Sequence, residues 1–330
     1  MKELVQRFSR TDALTSKGLN HPGTGRAKPM RRREFMKAAA TAPLALFQPA
    51  SSPEAKICLF TDHLADFDYR EVATMLRQVG IGGADLTVRP GGLVKPERVV
   101  EDLPKAATVF KENGLSISMI TTGITSARDP LARAILTVAA RLGIGYYKLG
   151  YYPYENLEAW QARLESTQQE LKKLVDLGRR LGIQAGFHNH SGPFVGGSLW
   201  DSWEIVQSLD TKWIGFYFDP GQATIEGGSN AWNLGFRRLC ERLKMIAIKD
   251  FIWEKNRGQW RARWVPLGEG MVRWPDFFKI LRQVSFQGPI SLHIEYDPGG
   301  STKSARFENS LAAGIRDLQF LKQQLREAYS

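Results

Sequence analysis

The sequence predicts an α/β fold, a single-domain (β/α)₈ barrel of the TIM type. Two observations support this prediction. Eight short apolar runs of strand length alternate with eight longer stretches of helical periodicity. Four of the apolar runs also end in residues that bind metals or transfer protons, and barrels of this type carry their chemistry at the carboxyl ends of the strands.

The predicted elements follow one another in a regular order. The strands are 57–61, 84–88, 115–120, 146–151, 184–190, 215–219, 245–251 and 290–296. The helices are 68–79, 96–113, 130–142, 157–181, 199–208, 231–242, 274–284 and 304–327. Several strands follow a glycine of the kind that ends helices, at Gly80, Gly114, Gly143 and Gly182. No GxGxxG pattern follows the first strand, so a dinucleotide-binding sheet has no support.

The last four strands have one polar and one apolar face, because successive side chains of a strand point to opposite sides. The polar faces carry His188 and His190 on the fifth strand, Tyr217 and Asp219 on the sixth, Lys249 on the seventh, and Ser291, His293 and Glu295 on the eighth. The apolar faces would meet the surrounding helices. We therefore expect the polar sets to point into the barrel and to converge at its upper mouth.

Residues 1–52 are predicted to be a leader, and residues 53–330 to form the barrel. The segment RRREFMK at residues 31–37 has the pattern of a twin-arginine export signal, and an apolar run and small residues follow it. This order predicts an exported, periplasmic protein. A disordered basic tail is the alternative, and Met30 is a second candidate start. The apolar run is too short for a membrane span of about 20 residues, so stable membrane insertion is not expected.

The charge of the chain is concentrated in the leader. The formal net charge is +11, but residues 1–50 hold ten basic and three acidic residues, so the rest is close to balance. A nucleic-acid partner is therefore not expected. The two cysteines, Cys58 and Cys240, are too few for a disulfide framework or a zinc–thiolate site. A homo-oligomer is an open possibility at this stage.

Five short segments carry a family resemblance: 187–190 (FHNH), 219–221 (DPG), 249–250 (KD), 266–270 (PLGEG) and Glu295. In this order, at successive strand ends, they resemble the xylose-isomerase-like barrel superfamily, and in particular its sugar-phosphate isomerase and epimerase branch. The resemblance implies a divalent metal held by Glu, Asp, His and Glu from strands five to eight. Asp219 and Glu295 match that pattern. His188 stands near the first Glu, while Ala247 and Gln222 stand where the family has histidines.

The resemblance and the strand ends together give a candidate site. His188, Asp219 and Glu295 are the predicted ligands of Mn²⁺, Zn²⁺ or Mg²⁺, whose ligands are oxygen and nitrogen atoms. Glu295 and Lys249 are the predicted catalytic residues. The predicted substrate contacts are His190, Lys148, Asp250, Trp260 and Trp264. Structural alternatives remain for several of them: Asp219 as a turn cap, Lys249–Asp250 as an ion pair, and the tryptophans as loop packing.

Three functions are compatible with this sequence pattern. The first is a metal-assisted isomerase, epimerase or lyase that removes a proton next to the carbonyl of a sugar or keto-sugar. The second is a carbohydrate-binding barrel without turnover, since the ligand set is altered. The third, a DNA-repair endonuclease on the same fold, would need three metals. Five histidines, two of them away from the predicted mouth, and the near-balanced charge argue against it.

Overall fold

The computed structural model describes residues 56–284 and 286–330. The predicted twin-arginine signal and the leader lie outside these residues. Within the described part of the chain, no helix is both long and apolar enough to cross a membrane.

Eight parallel strands close into a barrel, which confirms the predicted fold class. They are β1 (Ile57–Phe60), β2 (Gly83–Val88), β3 (Ser116–Thr122), β4 (Tyr146–Lys148), β5 (Gln184–His188), β6 (Ile214–Phe218), β7 (Leu243–Ile248) and β10 (Ile290–Leu292). Their order around the barrel is β1-β10-β7-β6-β5-β4-β3-β2. Because all the strands run in one direction, their carboxyl ends open on one face of the molecule.

The helices follow the strands in the expected alternation. They are α1 (Tyr69–Val79), α2 (Val99–Glu112), α3 (Pro130–Arg141), α4 (Trp160–Leu181), α5 (Leu199–Val206), α6 (Pro220–Gly227), α7 (Ala231–Leu239), α8 (Trp274–Leu281) and α9 (Lys303–Tyr329). Helix α6 was not predicted. Pro220 opens it, and the Asp219 carboxylate accepts a hydrogen bond from the backbone N–H of Gln222 at its first turn. Asp219 therefore caps a helix at the end of β6.

The predicted seventh strand, 245–251, is interrupted. Strand β7 ends at Ile248, and the chain then forms an antiparallel hairpin of β8 (Asp250–Asn256) and β9 (Gln259–Val265). Arg257 and Gly258 make its two-residue turn, with φ of 48° and 83°. Two successive residues with positive φ match the right-handed twist of the flanking strands. The segment that holds Trp253, Trp260 and Trp264 is thus a β-hairpin that follows the seventh barrel strand, and not a loop.

The lower barrel interior is filled by side chains. Cys58, Met119, Tyr217, Met245 and Ala247 form a buried cluster inside the ring of strands. Gly186 leaves room for this cluster, since a Cβ atom there would lie 1.8 Å from Cε of Met245. The barrel is therefore packed below, and open space is left at its carboxyl end.

Asp250 anchors the hairpin to the loop that follows it. Its carboxylate accepts hydrogen bonds from the backbone N–H groups of Phe251 (2.9 Å), Gly268 (3.1 Å) and Val272 (3.1 Å), and from Nε1 of Trp274 (2.9 Å). Asp250 is fully buried. The sequence predicts Asp250 as a substrate contact, but in the structure three of these bonds hold backbone N–H groups, one holds the Trp274 indole, and the side chain does not line the cavity described below.

Replacing Asp250 with Ala is expected to lower the free energy of unfolding by roughly 3 kcal/mol or more, since four buried donors lose their acceptor. Urea denaturation followed by circular dichroism measures this change. The Asp250→Asn variant keeps one acceptor oxygen and should lose less. The Asp66→Ala variant, at an exposed carboxylate, is the control. A loss at Asp250 no larger than that at Asp66 would contradict the anchoring role.

Candidate active site

A cavity of 590 Å³ opens at the carboxyl ends of the barrel strands. Its volume is in the range usual for small-molecule sites. Four of the five histidines of the chain line it: His63, His188, His190 and His293. The other lining residues used below are Phe60, Asp62, Arg89, Thr121, Lys148, Tyr151, Tyr217, Lys249, Trp264 and Glu295.

Three of the predicted catalytic and metal-binding side chains, His188, Lys249 and Glu295, line this cavity, and the fully buried Asp219 links His188 to Lys249. Nε2 of His188 lies 3.3 Å from Oδ2 of Asp219, and the same oxygen lies 3.3 Å from Nζ of Lys249. Lys249 Nζ also donates to both carboxylate oxygens of Glu295, at 2.9 and 3.0 Å. The convergence expected from the strand periodicity is therefore present, and Lys249 occupies its centre.

Ion pairing, rather than burial, decides the charge states of Lys249, Glu295 and Asp219. Burial alone would lower the pKa of Lys249, but the carboxylates of Asp219 and Glu295 outweigh it and raise the pKa. Burial would raise the pKa of Glu295, but Lys249 and His293 overcome it and lower the pKa. Asp219 is also held below its ordinary pKa, against burial, by Lys249 and His188. The site therefore holds one ammonium and two carboxylates at neutral pH.

The side chains do not fit the divalent metal that was predicted here. Within residues 56–284 and 286–330, no three His, Cys, Asp or Glu side chains are grouped to hold an ion. The physical reason is Lys249, whose ammonium takes the oxygens of Asp219 and Glu295 that a cation would need. A metal ligand must offer a free lone pair, and a protonated lysine beside those oxygens also repels a divalent ion.

His188 is neutral, because burial lowers its pKa to about 3 despite the neighbouring Asp219. Its partners assign the tautomer: Nε2–H donates to Asp219, and Nδ1 accepts from the hydroxyl of Tyr151 at 3.4 Å. Asn189 fixes the same strand end by exchanging two hydrogen bonds with the backbone of Asp219, at 2.8 and 2.9 Å.

A second polar layer lies beneath Glu295. His293 stacks on Phe60 and donates from Nδ1 to Glu295 at 3.0 Å, while its Nε2 lies 2.8 Å from the hydroxyl of Tyr217. That hydroxyl also lies 3.0 Å from Oδ2 of the fully buried Asp85. The Tyr217 hydroxyl therefore links His293 to Asp85. Burial raises the pKa of Asp85.

The predicted substrate contacts divide into two groups. Lys148, His190 and Trp264 line the cavity, and Lys249 Nζ lies 4.2 Å from the centroid of the Trp264 ring. Trp260 lies on the hairpin outside the cavity and is 65 % exposed. The sequence predicts Trp260 as a substrate contact, but in the structure its side chain is exposed to solvent, while Trp264 lines the cavity.

Sequence reasoning missed two cavity residues, His63 and Arg89. Both follow the carboxyl ends of early strands, β1 and β2. A polar residue just after a strand, which marked the later strand ends as candidates, was therefore present there too. Their own segments showed no alternating polar face. His63 was counted among the histidines away from the mouth, whereas it lines the cavity.

The comparison with known proteins agrees with this fold. A family model described as the xylose isomerase-like TIM barrel matches residues 73–324. The chain belongs to the xylose isomerase-like TIM barrel family. The family resemblance inferred from the strand-end segments is thereby confirmed.

The curated relatives that the chain matches include a dehydratase and a putative epimerase. The inosose dehydratase of Mesomycoplasma hyopneumoniae (strain J) is 26% identical over 146 residues, which are 41% of this chain and 48% of that protein. A putative L-ribulose-5-phosphate 3-epimerase of Haemophilus influenzae is 22% identical over 166 residues, or 48% of this chain and 54% of that protein. The chain thus spans about half the length of the curated relatives it matches.

Solved structures of other family members share the fold. A xylose isomerase-like TIM barrel protein from Mycobacterium smegmatis, in complex with magnesium, has a TM-score of 0.63 at 14% identity and covers 86% of this chain and 100% of its own. The 3-keto-D-glucoside 4-epimerase of E. coli has a TM-score of 0.58 at 13% identity and covers 78% of this chain and 98% of its own. At such low identity the likeness concerns the barrel alone.

Removing the lysine from this family member should open the metal site that Lys249 now fills. Without metal, Lys249→Ala is expected to lower the free energy of unfolding by about 3 kcal/mol, because the buried Asp219 carboxylate and the partly exposed Glu295 carboxylate lose their cation. Mn²⁺ or Zn²⁺ should then raise the melting temperature of the variant and leave that of the wild type unchanged. Stoichiometric metal in wild-type protein purified without chelator would contradict the assignment.

The stability of the barrel should fall on acidification, in part through His63. Burial lowers the pKa of His63 from 6.5 to about 4, so between these values the unfolded chain binds a proton that the folded chain does not. Stability therefore decreases as the pH falls through this window, by up to about 1.4 kcal/mol per pH unit from this residue. Urea unfolding at several pH values should show a shallower slope for His63→Gln. An unchanged slope would contradict the burial of a neutral His63.

Proposed function

We propose that this barrel catalyses proton transfer at a carbon next to the carbonyl group of a keto-sugar, giving epimerisation, isomerisation or elimination. One observation carries the proposal: the Lys249 ammonium lies 2.9 Å from Glu295 on the wall of a cavity of 590 Å³. An ammonium beside a carboxylate supplies what this reaction needs, a positive charge for the oxygen and a base for the carbon-bound proton.

The step can be written from these two groups. The substrate carbonyl oxygen accepts a hydrogen bond from Lys249, and the Glu295 carboxylate takes the proton from the adjacent carbon. The electron pair of the C–H bond forms the C=C bond, and the carbonyl electrons move to the oxygen, where Lys249 stabilises the negative charge. A proton delivered from solvent to the other face gives an epimer, and Glu295 then loses its proton to solvent. Delivery of the Glu295 proton to the former carbonyl carbon gives an isomer, once the hydroxyl proton of the first carbon has passed to the enolate oxygen and the new carbonyl has formed there. Loss of a β-hydroxyl as water gives a dehydrated product.

Lys249 takes the part that the resemblance assigned to a metal ion. Its single charge is weaker than that of a divalent ion, but the ammonium is buried and preorganised by Asp219, so little reorganisation is needed. Glu295 is a weak base while it shares the ammonium, because its pKa is lowered by Lys249. A substrate oxygen that takes one N–H of Lys249 weakens that pairing and makes Glu295 more basic.

The walls of the cavity suit a sugar. Phe60, Tyr151 and Trp264 offer aromatic faces that can pack on the C–H side of a ring, and neutral His188 and His190 offer polar edges. The names of the similar proteins support the same chemistry: an inosose dehydratase, a putative L-ribulose-5-phosphate 3-epimerase and a 3-keto-D-glucoside 4-epimerase. Each of these acts next to a carbonyl carbon.

The predicted export narrows the substrate further. Phosphosugars are scarce outside the cytoplasm, so a periplasmic location favours an unphosphorylated keto-sugar or glycoside. The support for this location is the twin-arginine pattern at residues 31–37. Cell fractionation of a tagged chain tests it: replacing Arg31 and Arg32 with Lys should retain the protein in the cytoplasm, and an unaltered distribution would remove the argument.

Hydrogen–deuterium exchange tests the function without knowledge of the product. In D₂O the protein should introduce deuterium next to the carbonyl of one or more of an inosose, a 3-keto-glucoside and D-tagatose, as followed by NMR. Exchange should persist after treatment with a chelator. Glu295→Gln should slow it by about 10³-fold, the range expected for loss of a general base. Glu269→Gln, at an exposed carboxylate of the neighbouring loop, is the matched control.

The same samples separate the enzyme from the alternative of a binding protein. Isothermal titration calorimetry with each sugar measures affinity independently of turnover. Binding without exchange, equal in the wild type and Glu295→Gln, would favour the non-catalytic carbohydrate-binding barrel. Exchange that requires added metal would contradict the role given to Lys249.

A further inference from the structure

Lys148 is a buried lysine without a counter-charge. Lys148 is the last residue of β4 and is only 2% exposed. Its side chain lines the cavity. Across the described residues, no carboxylate oxygen lies within 4.0 Å of its Nζ, and Nζ donates no hydrogen bond to another protein group. Nζ instead makes a cation–π contact with the Tyr151 ring, 3.5 Å from the ring centroid.

The other cations of the cavity are matched. Lys249 has Asp219 and Glu295, Arg89 donates to Asp62 at 2.6 Å, and Arg306 lies 3.7 Å from Asp66. Each of these cations has a carboxylate within 4.0 Å, and Lys148 has none. Arg89 and Lys249 both add to the positive potential there, while Asp85 and Glu295 offset part of it.

An unpaired buried ammonium is costly to the folded protein. Taking a charge out of water disfavours the folded state unless a partner restores the lost interactions, and an aromatic face restores only a fraction. Burial and then Arg89 lower the pKa of Lys148 to about 7. A group that is costly to stability and faces a binding cavity is typical of a ligand contact whose partner arrives with the ligand.

We propose that Lys148 binds an anionic substituent of the substrate, so that the cavity takes a sugar acid or another sugar bearing a carboxylate or phosphate. The claim that the bound anion belongs to a substrate rests on the proposed function, whereas the claim that Lys148 binds an anionic sugar does not. The ammonium is a compact point charge suited to either anion. Thr121 also lines this part of the cavity but donates its hydroxyl to Asp85, so the charge of Lys148 dominates recognition there.

Calorimetric titration with three probes tests the proposal. D-Glucuronate and D-glucose 6-phosphate carry the two anions, and D-glucose carries none. One or both anionic sugars should bind the wild type about tenfold or more tightly than D-glucose, the gain expected for a charge-assisted contact. The stronger of the two identifies the anion as a carboxylate or a phosphate. Equal affinity for all three sugars would overturn the proposal without any variant.

The Lys148→Met variant keeps the length of the side chain and removes its charge. It should lose the preference for the anionic sugars, keep its affinity for D-glucose, and melt at a higher temperature than the wild type because the buried charge is gone. Lys212→Met is the matched control, since Lys212 Nζ also lies over an aromatic ring, 4.9 Å from the centroid of Trp213, but on the exposed surface. An anion preference that survives in Lys148→Met would overturn the proposal.

Proton uptake gives a readout that a structural lysine would not show. At pH 8 the Lys148 amine is largely neutral, and so are the neighbouring His63, His188 and His190, because burial lowers the pKa of each. Binding of an anion should therefore draw close to one proton per site, measured in buffers of different ionisation enthalpy. The wild type should show this uptake with the anionic sugar, and Lys148→Met should not.

The outcomes for binding and catalysis are independent. An anion preference without deuterium exchange would support the subsite and contradict the proposed reaction. Exchange on neutral keto-sugars that Lys148→Met abolishes, with no anion preference in the wild type, would overturn the subsite and make Lys148 a base.

Discussion

The arrangement of the barrel mouth depends on the pairing of Lys249 with Asp219 and Glu295. These three groups come from the ends of three neighbouring strands, β6, β7 and β10, and Asp219 and Lys249 are buried. In a medium of low polarity none of them can remain charged without the others. The requirement fixes the ends of the strands relative to one another. It also orders His188 on one side and His293 on the other.

The same constraint explains why the site departs from a metal centre. Two carboxylates and an imidazole gather at the strand ends, which is the start of a typical oxygen and nitrogen ligand set. The lysine on the strand between them pairs with both carboxylates and occupies the position between their oxygens. One ammonium then supplies the positive charge. It does not require the fixed coordination geometry that a metal ion requires of its ligands. Proton transfer next to a carbonyl tolerates this exchange, because it needs a charge near one oxygen rather than a complete coordination sphere.

The two cavity lysines show how environment divides one residue type into two roles. Lys249 is surrounded by carboxylates that raise its pKa, and Lys148 lies against an aromatic ring and other cations, with its pKa lowered. Both are buried, so the difference comes from their neighbours and not from solvent. The hairpin adds to this contrast: it brings Trp264 over Lys249 and is held in place by Asp250, which does not line the cavity.

The sequence by itself determined the barrel, the order of its strands and the convergence of His188, Asp219, Lys249 and Glu295. Local periodicity suffices for these, because alternation on a strand fixes which side chains face inward and parallel strands end on one face. Only the tertiary structure decided that Lys249 lies between the carboxylates, that Asp250 turns away into the hairpin, and that His63 and Arg89 join the cavity. These outcomes depend on rotamers and on the paths of loops, where each polar atom takes the partner that burial leaves it. No repeating pattern along the chain records that choice.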